Sequence, residues 1–251
     1  MSDTPAEGFY PDPQVPGQLR RWDGVAWTDE VRTAGQEPTL GAGYATLAAY
    51  LQGLLGLYCG LAVLAAAYLI WQRNVLNDWV ADPTLVDQTV AERMDTVSLV
   101  IGLAPVLVFL VTGVLFVVWL YRGIKSSNID QSRMQHKAWW AIGGWFIPIW
   151  NLFRPFQMVR DFWLAANVKK QTGDLDTPRL IGWWWALNLL AILTERVYAL
   201  GTRDLAQLDG LAWMQATSDA AFAGATSSLL LAAAAVLAAL MVAKITAVVL
   251  R

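Results

Sequence analysis

Apolar residues in this chain fall into long blocks, separated by short stretches where Asp, Glu, Lys and Arg gather. Four blocks, near residues 46–71, 97–121, 179–200 and 223–249, are long enough to cross a bilayer as helices. Roughly 20 apolar residues cover ~30 Å of hydrocarbon. A further block, residues 139–156 (WWAIGGWFIPIWNLFRPF), is apolar enough for a membrane but is interrupted by Pro148, Asn151, Arg154 and Pro155. Broken backbone at membrane depth persists only where protein or enclosed water satisfies the freed polar groups. The pattern therefore predicts for 138–170 a re-entrant hairpin, or a partly inserted helix followed by an interfacial one at 156–170. A fifth full span is the alternative.

The front end follows a different period. Residues 8–32 read GFYPDPQVPGQLRRWDGVAWTDEVR, with Asp23-Gly24 between two short runs. That dipeptide favours a two-residue type I′ hairpin loop, because both of its positions need positive φ. Such a loop sets Trp22 opposite Val25 and Arg20 opposite Trp27, with all four on one face. Tyr10 and the Pro11-Asp12-Pro13 turn can fold over that face. In so small a module the tryptophans serve either as structural staples or as an aromatic groove for proline-rich peptides. Tyr10, Trp22 and Trp27 are its candidate peptide-binding residues. The chain thus divides into a β-hairpin module (1–32), a linker (33–43) and an all-α integral membrane helix bundle (44–251).

Composition agrees with this class. Only 15% of residues are charged, against about 25% in soluble domains, and the mean hydropathy is +0.41. The net charge is −2 with no basic run, which argues against a nucleic-acid partner. The lone Cys59 and lone His136 exclude a disulfide framework, His-based triads and most zinc and haem chemistry, so no metal or cofactor is expected. The polar start MSDTPAEG has no signal-peptide pattern, which makes the first helix an uncleaved anchor.

Charge sets the expected orientation. Arg20, Arg21, Arg32, Arg122, Lys125, Arg133 and Lys137 flank one set of helix ends. Asp78, Asp82, Asp87, Glu92, Asp95, Asp204, Asp209 and Asp219 flank the other. Basic segments stay in the cytoplasm, so both termini are expected there, in a plasma-membrane protein. Residues 138–178 would then enter and leave on the cytoplasmic side. Trp119, Trp139, Trp140, Trp163 and Trp183 to Trp185 fall at inner ends, and Trp71, Trp79 and Trp213 at outer ends, as anchoring belts would place them. Val86, Val90 and Met94 predict an amphipathic helix lying on the outer surface, and Leu205, Leu208 and Ala212 a second. Gly56-x-x-x-Gly60 and the small residues of the last span fit close helix packing within a bundle or a homo-oligomer.

Candidate chemistry is sparse. Arg154, Gln157 and Asp161 share a helix face at i, i+3 and i+7. An unpaired charge at membrane depth costs about 3 kcal/mol, so Arg154 either reaches lipid headgroups or needs a counter-group. Asp161 lies about 10 Å further along the helix, so direct contact needs a bend or a water. Asn188, in the third long block, suits an interhelical hydrogen bond. Asn151, Arg154, Gln157, Asp161 and Asn188 form the candidate polar membrane site. HExxH, GxSxG, P-loop and GxGxxG signatures are absent, as are paired inward carboxylates and inverted repeats. An enzyme is not expected, and no catalytic residue is nominated.

Two motifs carry resemblances. Gly8, Phe9, Tyr10, Pro11, Asp12, Pro13, then Pro16-Gly17, then Arg20, Trp22, Asp23, Gly24, Trp27 and Thr28 resemble a short actinobacterial module, domain of unknown function 2510. Arg21 stands where an aromatic residue is usual. Trp139, Trp145, Pro148, Asn151, Leu152, Pro155, Met158 and Trp163 resemble the multi-span domain of unknown function 4328, over residues 44–250. The resemblance implies a helical membrane domain with a cytoplasmic module in front, and no catalytic residues. The expected function is a non-enzymatic membrane adaptor or sensor whose module recruits a cytoplasmic protein. The alternative is a small transporter or lipid-handling protein using the polar break at Asn151–Asp161.

Overall fold

The computed structural model describes residues 8–33, 40–170, 176–203 and 205–251. The front module is a three-stranded antiparallel sheet in the order β1 (Gly8–Pro11), β2 (Gln18–Trp22), β3 (Trp27–Thr33). The expected hairpin is thus part of a larger sheet, and its register differs. Trp22 pairs with Trp27 and Arg20 with Val31, with a bulge between. The loop has four residues because the Asp23 carboxylate accepts from Val25 N–H at 2.8 Å and Ala26 N–H at 2.7 Å. Those bonds compete with a tight I′ turn and draw two more residues into the loop. Gly24 alone there takes positive φ, at +95°. Val25 consequently sits 85% exposed at the tip rather than on the aromatic face.

After the sheet in the chain come four long helices: α1 (Ala42–Ala81), α2 (Gln88–Ile124), α6 (Asp176–Gly201) and α7 (Gly210–Val249). Between α2 and α6 come three shorter ones, α3 (Trp140–Gly143), α4 (Pro148–Asn151) and α5 (Arg154–Lys170). α1, α2 and α7 are each long and apolar enough to cross a membrane. In α6 the Trp183 to Trp185 run, Asn188, Glu195 and Arg196 dilute the apolar stretch.

Successive long helices run antiparallel. Ser218 on α7 donates to Asn77 Oδ1 on α1, and Trp119 on α2 donates to Thr246 on α7. Ser227 donates to the Ala191 carbonyl of α6. One end of the bundle therefore gathers the start of α1, the end of α2, the start of α6 and the end of α7. Asn128 ties that end together, accepting from Leu40 N–H and donating to the Val249 carbonyl. The chain leaves α2 and enters α6 at this same end, which carries the basic segments.

At the opposite end, α1 and α2 overrun the apolar blocks. Asp82 and Asp87 cap the two helix ends between them, Asp87 accepting from Thr89 and Val90 N–H. Met94 is buried against Leu76 and Trp79. The expected surface-lying helix at 86–94 is instead the first turns of α2, because this apolar stripe finds a partner on α1. Likewise Ala212 belongs to α7, after a 3-10 turn at Leu205–Gln207. Gly56 and Gly60 do not mediate packing within the chain: an added Cβ at either meets nothing within 4 Å. Small residues do matter in α7, where Ala220, Ala221, Ala225, Ala234, Ala235 and Ala238 are buried.

The core lies at the basic end and is aromatic. Trp119 and Trp163 are fully buried, and Trp184 and Trp185 are 5% and 7% exposed. These four are not belt residues. Trp119 stacks on Tyr44 (6.3 Å between centroids) and meets Phe116 and Phe162, each at 5.6 Å. Trp79 is also buried, whereas Trp139, Trp183, Trp71 and Trp213 face outward as belt residues would. Trp119 Nε1 satisfies its N–H inside the core on Thr246, whereas the Trp163 indole N–H is buried without a hydrogen-bond partner.

Candidate functional site

The apolar break is built by its prolines. Pro148 holds Ile147 extended (φ −95°, ψ 113°) and opens α4 at its first turn, and Pro155 lies in the first turn of α5, where its missing N–H costs no helical bond. Gly144 allows α3 to lie on the start of α5, since a Cβ there would fall 2.8 Å from Arg154 Cβ. The tip of the element climbs the bundle. Trp145 meets Phe116 and Trp185 at 5.9 and 6.3 Å, and Trp185 Nε1 donates to the Leu152 carbonyl. Phe116 and Trp185 stand about 12–14 Å along their helices from the basic end. Phe146 and Ile149 at the tip are 79% and 73% exposed.

The five residues nominated for a polar membrane site do not form one cluster. Arg154 lies in a V of two indoles, its guanidinium carbon 4.7 Å from the Trp140 ring centre and 4.5 Å from that of Trp150. It donates to Gln157 Oε1 at 2.9 Å. Cation–π contact and a neutral amide thus stand where lipid headgroups or a counter-group were expected. Asp161 is fully buried elsewhere. Its Oδ2 pairs with His136 Nδ1 at 2.9 Å, and its Oδ1 accepts from Arg160 at 3.2 Å. The seven-residue rise along α5 carries it away from Arg154, toward the segment after α2. Asn188 donates to the Trp184 carbonyl of its own helix and makes no interhelical bond among the described residues. Asn151 ends α4 half-buried.

His136 is the residue that sequence reasoning missed. Nothing in its local pattern marks it, since the partner lies 25 positions away. The visible signal was a carboxylate on α5 about 10 Å along the helix from Arg154, too far for direct contact and so open to a donor from another segment.

In the module, Tyr10, Trp22 and Trp27 do come together. Trp27 receives Tyr10 edge-on at 6.3 Å and Trp22 at 5.3 Å. Trp27 remains 40% exposed. Asp12 is buried behind them, accepting from Gln14 and Val15 N–H and from Arg20 Nε. The Gln14 N–H, with help from Arg20 and against partial desolvation, holds its carboxyl below the usual aspartate range.

Among the described residues no group of His, Cys, Asp and Glu is arranged to hold a metal. No curated protein and no solved structure matches the chain. Residues 8–39 match the model of a protein of unknown function (DUF2510), in agreement with the motif at the front. Residues 82–247 match a domain of unknown function (DUF4328), beginning after α1 rather than at residue 44. Because that match spans about two thirds of the 251 residues and takes in α2, the broken element, α6 and α7, the chain belongs to the DUF4328 family.

Proposed function

We propose that this is a four-span membrane protein that presents its three-stranded sheet to the cytoplasm as an adaptor for an extended, proline-containing segment of a partner. The observation that carries the reading is the ridge of Tyr10, Trp22 and Trp27, held edge to face yet leaving Trp27 40% exposed. Aromatic ridges of this kind dock polyproline II segments at low entropic cost. In this reading α6 is the fourth span, since its 26 residues give about 39 Å of helix. The basic end faces the cytoplasm, and 138–170 dips into the inner leaflet with Phe146 and Ile149 toward lipid. The packing of Arg154 and Asp161 against protein groups supports a structural role for the break over a transport path.

Crosslinking in native membranes tests the adaptor role. Trp27→Ala should remove partner crosslinks that the wild-type chain makes, at equal membrane abundance. An unchanged partner set after Trp27→Ala, and after deletion of residues 1–35, would refute the proposal. Orientation is tested separately by cysteine labelling in a Cys59→Ser background. Gln207→Cys should react with an impermeant reagent from outside and Gln135→Cys should not; the reverse would overturn the placement.

A further inference from the structure

A cleft of about 480 Å³ opens among α1, α2, α6 and α7, in the half of the bundle away from the broken element. Its volume lies in the range of small-molecule sites. Along α2 its lining runs from Ser98 to Phe109, and along α1 from Gln72 to Tyr58. Either stretch is about 16–21 Å of helix, close to the ~15 Å that one leaflet contributes to a ~30 Å hydrocarbon core.

The lining changes character along that length. Near the acidic end stand Gln72, Ser98, Glu195, Thr202 and Thr217. Towards the middle of the bundle the wall is Ala62, Ala65, Val106, Phe109, Ile192 and Leu231. Two polar groups at the first end lack a protein partner, a threonine hydroxyl and the carboxylate of an exposed glutamate. Thr217 Oγ1 is buried without a hydrogen-bond partner. Glu195 accepts no hydrogen bond and makes no ion pair among the described residues. Its neighbour Arg196 points about 100° away around the helix. The backbone contributes as well: Pro105 has no N–H, so the Ile101 carbonyl lacks its helical donor where both residues line the cleft. Pockets that combine an apolar body with a few convergent polar groups are the usual form of a ligand site.

We propose that this cleft binds a membrane amphiphile carrying a primary ammonium headgroup. The ammonium meets Glu195, a headgroup oxygen accepts from Thr217, and the acyl chain runs down the Phe109 wall. Polar end, apolar end and length match such a molecule, and Glu195, the carboxylate in the cleft lining, selects its charge. The cleft is independent of the aromatic sheet; only its assignment to the outer leaflet rests on the orientation proposed above.

The full chain in nanodiscs of equal phosphatidylethanolamine and phosphatidylglycerol, released for native mass spectrometry, tests this. The wild-type protein should retain the ethanolamine lipid over the glycerol lipid by about two- to fivefold, the strength of one solvent-accessible ion pair. Glu195→Gln, nearly isosteric, should bring that ratio to about one. Gly102 lines the cleft and an added Cβ there meets nothing within 4 Å, so Gly102→Phe fills the space without backbone conflict. It should abolish retained lipid, whereas Gly56→Phe, outside the cleft, should not. An unchanged ratio in Glu195→Gln, or undiminished retention in Gly102→Phe, overturns the proposal. Loss of retention in both glycine variants overturns it too.

Discussion

Replacing Trp119 with leucine removes the centre of the aromatic core while keeping an apolar side chain in place. The indole makes three ring contacts, with Tyr44, Phe116 and Phe162, and one hydrogen bond to Thr246. Aromatic pairs contribute about 0.5–1.5 kcal/mol each. Interhelical hydrogen bonds in membranes average about 0.6 and reach about 1.7 kcal/mol. Transfer from lipid adds little, because acyl chains are as apolar as the core. The sum places Trp119→Leu at about 2–6 kcal/mol of destabilisation. Trp183, 67% exposed on α6, provides the contrast, and Trp183→Leu should stay within about 0.5 kcal/mol. Equilibrium unfolding in mixed mild and denaturing micelles, followed by circular dichroism, reads both. A double-mutant cycle of Trp119→Phe with Thr246→Val should recover a coupling of about 0.6 kcal/mol. If Trp119→Leu cost no more than Trp183→Leu, the ring would be an anchor in lipid and the core described above would be wrong.

Three further outcomes follow from local geometry. Gly123→Ala places a Cβ 2.3 Å from Phe162 Cζ and 2.6 Å from Tyr44 Oη, and should destabilise by about 1–3 kcal/mol in the same unfolding assay; Gly60→Ala should be neutral or mildly stabilising. Arg154→Lys keeps the charge but loses the planar face held between Trp140 and Trp150. It should lower the midpoint by about 0.5–2 kcal/mol, and a midpoint equal to wild type would show that the indoles do not hold the guanidinium. Asp12 has a depressed carboxyl pKa, so it stabilises the sheet above the unfolded value near ~3.9 and loses that contribution as pH falls through the folded value. The Trp22 and Trp27 indole resonances should therefore collapse only below about pH 4, and at higher pH in Arg20→Gln; dispersion persisting in that variant to about pH 2 would contradict the account.

The long apolar blocks were legible as helices because an unbroken apolar run of this length reads directly from the sequence, and three of the helices are long and apolar enough to cross a membrane. All four lie inside α1, α2, α6 and α7. Their extensions at the acidic end were not, since residues 72–81 and 88–96 are polar enough to resemble loop, and it is the Leu76–Trp79–Met94 contact that packs the two stretches together. Tryptophan position along a helix was legible, but not its direction: adjacent Trp183 and Trp184 are 67% and 5% exposed. The hairpin register failed because Asp23 bonds its own turn, a choice invisible in the Asp-Gly dipeptide alone. Within the broken element, Asp161 pairs with His136 and Arg154 with two indoles, partners set by tertiary packing rather than by sequence spacing. Glu195 read as an end-of-helix charge because the cleft beside it is made by three other helices.

α1 and α7 are continuous for 40 residues each and lie side by side. At about 1.5 Å per residue each is a rod near 60 Å long, twice the hydrocarbon thickness. A rod converts angle into displacement, and a tilt of about 5° moves its far end by about 5 Å at this length. The Tyr44–Trp119–Thr246 contact holds the two rods at one end, and Asn77–Ser218 holds them at the other. Any change in angle forced on the acidic end therefore arrives, undiminished by a joint, at the aromatic core beside the broken element.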